Sequence, residues 1–329
     1  MTDTHRAPTA LGRAVGGLFP TAGQPRSTRV GVEHELLAFD TRTQGPVDIE
    51  RVRRAVEDTP LAGCVAFEPG GQVELNLPCA PDPTALDRCF GSALAELRCR
   101  ADDAGVRLEA LPVDPRAISR LPLQLRSDRY LAMQAHFDRI GPAGRRMMRQ
   151  TAGTQVCLDW WPGRAGLEQW RVLLLAGPFL AAALSRGAGP DSRLATWLAV
   201  DPARTGFDDR LLSGDDPVAA YTAFAGGAAR FVPADQHLST LFPPVRPRGR
   251  YLEVRFLDAQ PDHLVARIAG LLADLVYDDE RRRRALALLT RRRQRLAELW
   301  HAAALTPDLL AELGHELLGD SSAALVGAA

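Results

Sequence analysis

The chain has 329 residues, 46% of them hydrophobic and 24% charged, which is the profile of a globular protein able to bury a sizeable core as one large or two average domains. Its formal net charge is +0, so there is no global attraction to nucleic acid or to an anionic membrane, and no apolar run reaches membrane-spanning length. No lysine occurs, so all 40 basic side chains are arginines; this excludes a P-loop lysine and Schiff-base chemistry, and leaves guanidinium or metal as the only phosphate-binding cations.

The five cysteines, Cys64, Cys79, Cys89, Cys99 and Cys157, are odd in number and lack C-x-x-C spacing. They read as the reduced thiols of a cytoplasmic protein. No charged segment followed by an apolar stretch opens the chain, so a signal peptide is not expected.

In chain order, residues 1–27 are rich in Ala, Gly, Pro and Thr, with a weak helical pattern at Leu11, Val15 and Leu18; a poorly ordered or weakly helical segment is expected. Next comes a strand in which Glu33 and Glu35 share one face while Val32 and Leu36 point to the other. A short helix is expected over 47–59, then two extended pieces over 64–77 joined at Pro69-Gly70-Gly71, with Gln72, Glu74 and Asn76 on one face. Asp82-Pro83 reads as the cap and first turn of a helix buried through Leu86, Phe90, Leu94 and Leu97, and 108–113 as a strand. Helices are predicted over 129–140 and 143–150.

The strand Thr154–Asp159 follows, with Gln155, Cys157 and Asp159 on its polar side. Further helices are predicted over 166–184, after Ser192, and over 217–229. Pro243, Pro244 and Pro247 keep the stretch 241–249 from being a central strand; it leads into Tyr251–Phe256, where Glu253 and Arg255 share a face. From Asp262 the chain reads as helical almost to its end. The arginines at 281–284 and 291–295 alternate with leucines at helical spacing, so they read as solvated amphipathic helix rather than a nucleic-acid patch. Strands scattered among helices argue for an α+β fold with a mainly antiparallel sheet, here a single domain over 28–320 followed by a tail at 321–329.

Each polar strand alone fits an ordinary half-solvated sheet. Together they suggest one carboxylate-rich face, tolerable only where cations compensate the repulsion. An oxygen-only cluster of this kind suits Mg²⁺, which commonly also holds substrate phosphates.

The segments Gly31-Val32-Glu33-His34-Glu35, Phe67-Glu68-Pro69-Gly70-Gly71-Gln72-Val73-Glu74-Leu75, Arg129-Tyr130 with Met133, Met147-Met148, Gln155-Val156 with Leu158-Asp159, and Tyr251-Leu252-Glu253-Val254-Arg255 resemble, in order, the plant-type and actinobacterial glutamate-cysteine ligases. The stretch from Leu238 to Gly249, followed by Asp258-Ala259-Gln260-Pro261, resembles the actinobacterial branch that serves ergothioneine biosynthesis. The resemblance implies a glutamine-synthetase-like fold whose curved antiparallel sheet cups ATP and Mg²⁺. It implies phosphorylation of the glutamate γ-carboxylate and capture of the acyl phosphate by the cysteine amine. By motif position, Glu33, Glu35, Glu68, Glu74 and Glu253 correspond to metal-binding acids, Arg255 to the arginine contacting the transferred phosphoryl, and Gln155 to the nucleotide or substrate edge. Arg129, Arg193, Arg204 and Arg248 are further candidates for holding substrate carboxylates; for each, an ordinary ion pair remains an alternative. His34 falls on the apolar side and is expected to pack.

The chain departs from the family at Cys157, where Asn is usual, in a shortened loop near 183–187, and between Phe224 and Gln236, where relatives carry additional residues. The metal cup is therefore expected intact beside remodelled substrate walls. A ligase using another amine or acid, and a non-catalytic relative, remain alternatives.

Overall fold

A computed structural model describes residues 9–319; the expected tail and residues 1–8 lie outside the described residues. Seven strands form an open sheet: β1 (Val30–Asp40), β2 (Val65–Phe67), β3 (Val73–Asn76), β4 (Val106–Glu109), β5 (Thr154–Asp159), β6 (Val245–Pro247) and β7 (Tyr251–Val254). Their order is β2-β3-β1-β5-β7-β6, with β4 also against β1, and every pairing is antiparallel. The α+β architecture with a mainly antiparallel sheet is therefore present.

β1 organises the sheet because it is long enough to take two neighbours on one edge. Through Glu35 that edge faces the β5 segment and from Leu37 onward β4, while β3 takes the other edge. That division corrects the expected strand over 108–113: β4 stops at Glu109 because the next stretch of that β1 edge is taken by the start of the β5 segment, the Glu35 amide donating to the Gly153 carbonyl at 3.0 Å. Val113 keeps only an isolated bridge to Thr151.

Alternation along the strands sends Val32, Leu36, Val73, Leu75, Val156, Leu158, Leu252 and Val254 into the core, all nearly inaccessible. Helices cover this face. The helix Pro83–Asp103 is capped by Asp82, whose carboxylate accepts from the Ala85 amide at 2.8 Å, and buries Leu86, Phe90, Leu94 and Leu97. Val265–Tyr277 and the long helix Gly163–Ala183 complete the packing. The latter runs through Pro178; the adjacent Gly177 admits the Trp300 ring, which an added Cβ would meet at 2.6 Å. The helix predicted over 47–59 is shorter, Ile49–Val56, capped by Asp48, and Ala10–Gly16 forms a helix in the N-terminal segment.

The arginine-rich segment is only partly solvated. Arg282 is 1% exposed, paired with Glu168 and Asp279, so its cation is spent inside the fold. The stretch Val245–Pro247 is an edge strand, where the missing Pro247 donor costs no ladder bond. Among the described residues no helix is long and apolar enough to cross a membrane.

Candidate active site

The face of the sheet opposite the core collects the polar residues into rows across the strands. Asn76, Glu33 and Gln155 stand side by side on β3, β1 and β5, and Glu74 stands beside Glu35. A further row runs Gly31, Cys157, Glu253, Arg246. Glu68 joins from the turn between β2 and β3, where the Gly71 amide donates to the Glu68 carbonyl and Gly71 adopts φ +92°, a conformation open to glycine. Gly70 admits the Arg149 backbone, since a Cβ there would lie 2.4 Å from Arg149 Cα. Gln72 Nε2 ties this turn to the Thr151 carbonyl at 2.7 Å.

These residues line a cavity of about 340 Å³. Its opposite wall is Arg129, Tyr130 and Met133 of the helix Asp128–Ile140, Met147 and Met148 of the helix Ala143–Gln150, and Trp197 and Phe242. The cavity is electrically bipolar. At one end one carboxylate oxygen from each of Glu35, Glu68 and Glu74 lies within 4.8 Å of the others. Glu35 is oriented by the Gly153 amide at 2.6 Å and by Gln155 Nε2 at 3.2 Å. Asn76 Nδ2 donates to Glu74 at 2.7 Å.

Burial, reinforced by the neighbouring carboxylates, pushes Glu33 up to about 7, Glu68 to about 8 and Glu74 to about 9. Such mutual repulsion is what a bound cation relieves. The donor set fits a hard divalent ion: it is all oxygen, and the buried Asn76 Oδ1 has no hydrogen-bond partner.

At the other end Glu253 is surrounded by guanidiniums, with Arg248 at 3.2 Å, Arg246 at 3.8 Å and Arg255 in direct contact. Burial opposes its charge, yet Arg255, Arg246 and Arg248 together hold it below the usual carboxylate value. Burial likewise opposes the Arg255 cation, and the Glu253 charge outweighs it. Gln155 links the two ends, donating to Glu35 and accepting from Arg255 at 2.5 Å.

Glu33, Glu35, Glu68, Glu74, Glu253, Gln155, Arg129, Arg248 and Arg255 thus line one cavity, with Glu253 on the arginine side rather than in the three-carboxylate group. Arg193 and Arg204 are placed elsewhere. Arg193 is buried beneath the sheet end, donating to the Arg255 and Phe256 carbonyls at 3.1 and 3.3 Å. Arg204, fully buried, pairs with Asp201 at 3.1 Å and donates to Thr240 and the Ala229 carbonyl. Both guanidiniums are committed to the interior, so a hold on substrate is not assigned to them.

Sequence reasoning missed Arg246 and Asn76 as site residues. Arg246 alternates with Arg248 around Pro247, a two-residue period that the prolines disguised. Cys157 is buried on the polar face, its Sγ 4.0 Å from Glu33; burial raises its thiol well above the ordinary value.

An antiparallel sheet that carries this bipolar cavity on one face is, in this chain, that of a ligase. The chain belongs to glutamate-cysteine ligase family 2 (GCS2), whose family pattern matches residues 29–308. Over 297 residues it is 30% identical to the glutamate–cysteine ligase EgtA of Mycolicibacterium smegmatis, covering 76% of this chain and 69% of that one. Glutamate–cysteine ligase B, chloroplastic, of Oryza sativa subsp. japonica is 25% identical over 316 residues, covering 77% of this chain and 63% of the rice protein. In structure the chain is similar to a bifunctional glutathione synthetase from Pasteurella multocida, with TM-score 0.51 and 14% identity, over 92% of this chain and 46% of that chain.

Proposed function

We propose that the protein is an ATP-dependent ligase joining glutamate to cysteine through a γ-glutamyl phosphate, in the cytoplasm, and that the product feeds ergothioneine or related thiol biosynthesis. The carrying observation is the bipolar cavity, three converging carboxylates facing three guanidiniums across Gln155. Transfer of a phosphoryl group to a carboxylate brings two anions together, and the reaction proceeds only where both are neutralised. Glu35, Glu68 and Glu74, bordered by Glu33, would hold Mg²⁺, which when bound screens the ATP phosphates from the acid being phosphorylated. Arg255, Arg246 and Arg248 would stabilise negative charge on the transferring phosphoryl, with Glu253 as their anchor. Arg129, stacked on Tyr130 at 4.2 Å, stands on the opposite wall to receive a substrate carboxylate.

The pathway rests on the names of relatives such as EgtA. The buried Cys157 beside Glu33 favours a second reading, in which the same chemistry joins a different amine. Purified protein incubated with ATP, Mg²⁺, glutamate and a panel of amines, analysed by mass spectrometry, separates them. Cysteine-dependent formation of γ-glutamylcysteine with ADP supports the first reading. A different γ-glutamyl amide supports the second, and ADP formation independent of any amine or acid defeats both.

A further inference from the structure

His34 stands between Glu33 and Glu35 on β1, so its ring emerges on the opposite face, where it is completely inaccessible. There it makes one side-chain hydrogen bond behind the carboxylates and faces a carboxylate on its other side. Its Nδ1 lies 3.0 Å from Thr154 Oγ1 on β5, the residue preceding Gln155. That hydroxyl accepts from the Gln260 amide at 3.0 Å. Nε2 faces Asp262 Oδ1 at 3.5 Å, an ion-pair distance at which neither atom makes a hydrogen bond, and Asp262 Oδ2 is clasped by Arg98 at 2.6 and 2.9 Å. Phe90, on the same helix as Arg98, meets the imidazole edge-on at 5.6 Å.

The donor count sets the direction of the hydrogen bond. With one lone pair of Thr154 Oγ1 engaged by the Gln260 amide, the hydroxyl proton is free to point at His34 Nδ1, and no other acceptor for it occurs among the described residues. Nδ1 then accepts, and the ring proton sits on Nε2, facing Asp262. Four pieces of chain meet at one imidazole: the helix Pro83–Asp103, β1 at the glutamate pair, β5 beside Gln155, and the segment following β7. The buried His34–Thr154 hydrogen bond, directional and backed by the Gln260 amide, ties β1 to β5 at one register.

We infer that His34 and Thr154 are positioning residues, which set the heights of Glu33 and Glu35 against Gln155 from the back of the sheet and thereby shape the cation site. The inference rests on the acidic end of the cavity being a divalent cation site. Hydrogen-bonding partners behind metal ligands commonly contribute 10–100-fold to metal affinity, and an effect transmitted through the backbone belongs near the lower bound.

The test is Mn²⁺ binding to the full chain, followed by electron paramagnetic resonance without ATP or amino acid, with thermal unfolding of each variant alongside. Thr154→Val keeps the shape and removes the hydroxyl; His34→Phe keeps the ring and removes both nitrogens. Each is expected to weaken Mn²⁺ binding about tenfold, and Thr154→Ser to restore it. Unchanged Mn²⁺ affinity in either folded variant, whatever its melting temperature, overturns the inference and leaves the cation site standing. Absence of Mn²⁺ binding by the unaltered chain overturns both.

Discussion

Glu253 is 1% exposed and serves as the shared counter-charge of Arg246, Arg248 and Arg255, so neutralising it leaves buried cations unpaired. Glu253→Gln is expected to cost on the order of 3 kcal/mol in urea denaturation, and to leave Mn²⁺ binding at Glu35, Glu68 and Glu74 largely intact. Loss of Mn²⁺ binding with unchanged stability would place Glu253 in the cation site instead.

The other glutamates carry a pH signature. Glu33, Glu68 and Glu74 have folded values near 7, 8 and 9 against an ordinary 4.5, so above pH 4.5 the folded chain holds more protons than the unfolded one. Their contribution to metal-free stability is present below pH 4.5 and is lost as pH rises through 7 to 9. In chelator, the melting temperature should fall across that window, and excess Mg²⁺ should flatten the decline. A melting temperature that rises with pH in chelator contradicts the clustering.

Most of these residues were legible in the sequence because strand parity is a local rule: Glu33 and Glu35, or Gln155 and Cys157, need no knowledge of the rest of the fold. Arg255 followed from the same rule beside Glu253, but the fates of Arg193 and Arg204 did not. Whether Arg193 or Arg204 reaches solvent is decided by acceptors far along the chain, the Phe256 and Ala229 carbonyls and the Thr240 hydroxyl, and no local pattern encodes them.

At the scale of elements, the turn between β2 and β3 depends on close backbone approach. Gly70→Ala drives a methyl group toward the Arg149 backbone, 2.4 Å from Cα and 2.7 Å from the carbonyl oxygen, and neither atom can swing aside as a side chain would. The expected cost is about 1–3 kcal/mol in urea denaturation, with weakened Mn²⁺ binding because Glu68 moves with the turn. Full retention of both would show that the turn relaxes freely. The helix Pro83–Asp103 was readable from its Asp82 cap and apolar spacing; the end of β4 was not, because it is fixed by competition with the β5 segment for one edge of β1. Edge strand β6 was concealed for a related reason: proline marks where a ladder donor is missing, and only the position in the sheet shows that the donor was never needed.

For the molecule as a whole, the separation of charge across one cavity would make cation and nucleotide binding, as proposed above, interdependent. Thermal stabilisation by ATP should require Mg²⁺, reaching about 2.7 kcal/mol at a hundredfold excess over the dissociation constant and nearly vanishing in chelator. Equal stabilisation by ATP without a divalent ion would mean that the arginines alone carry the triphosphate.

The all-arginine basic end has a chemical corollary. An acyl phosphate formed in this cavity would acylate any amine within reach, and a lysine placed to hold phosphate would be such an amine. Guanidinium groups stay protonated and are poor nucleophiles, and the chain contains no lysine anywhere. The cations that would stabilise the activated acid are therefore inert toward it.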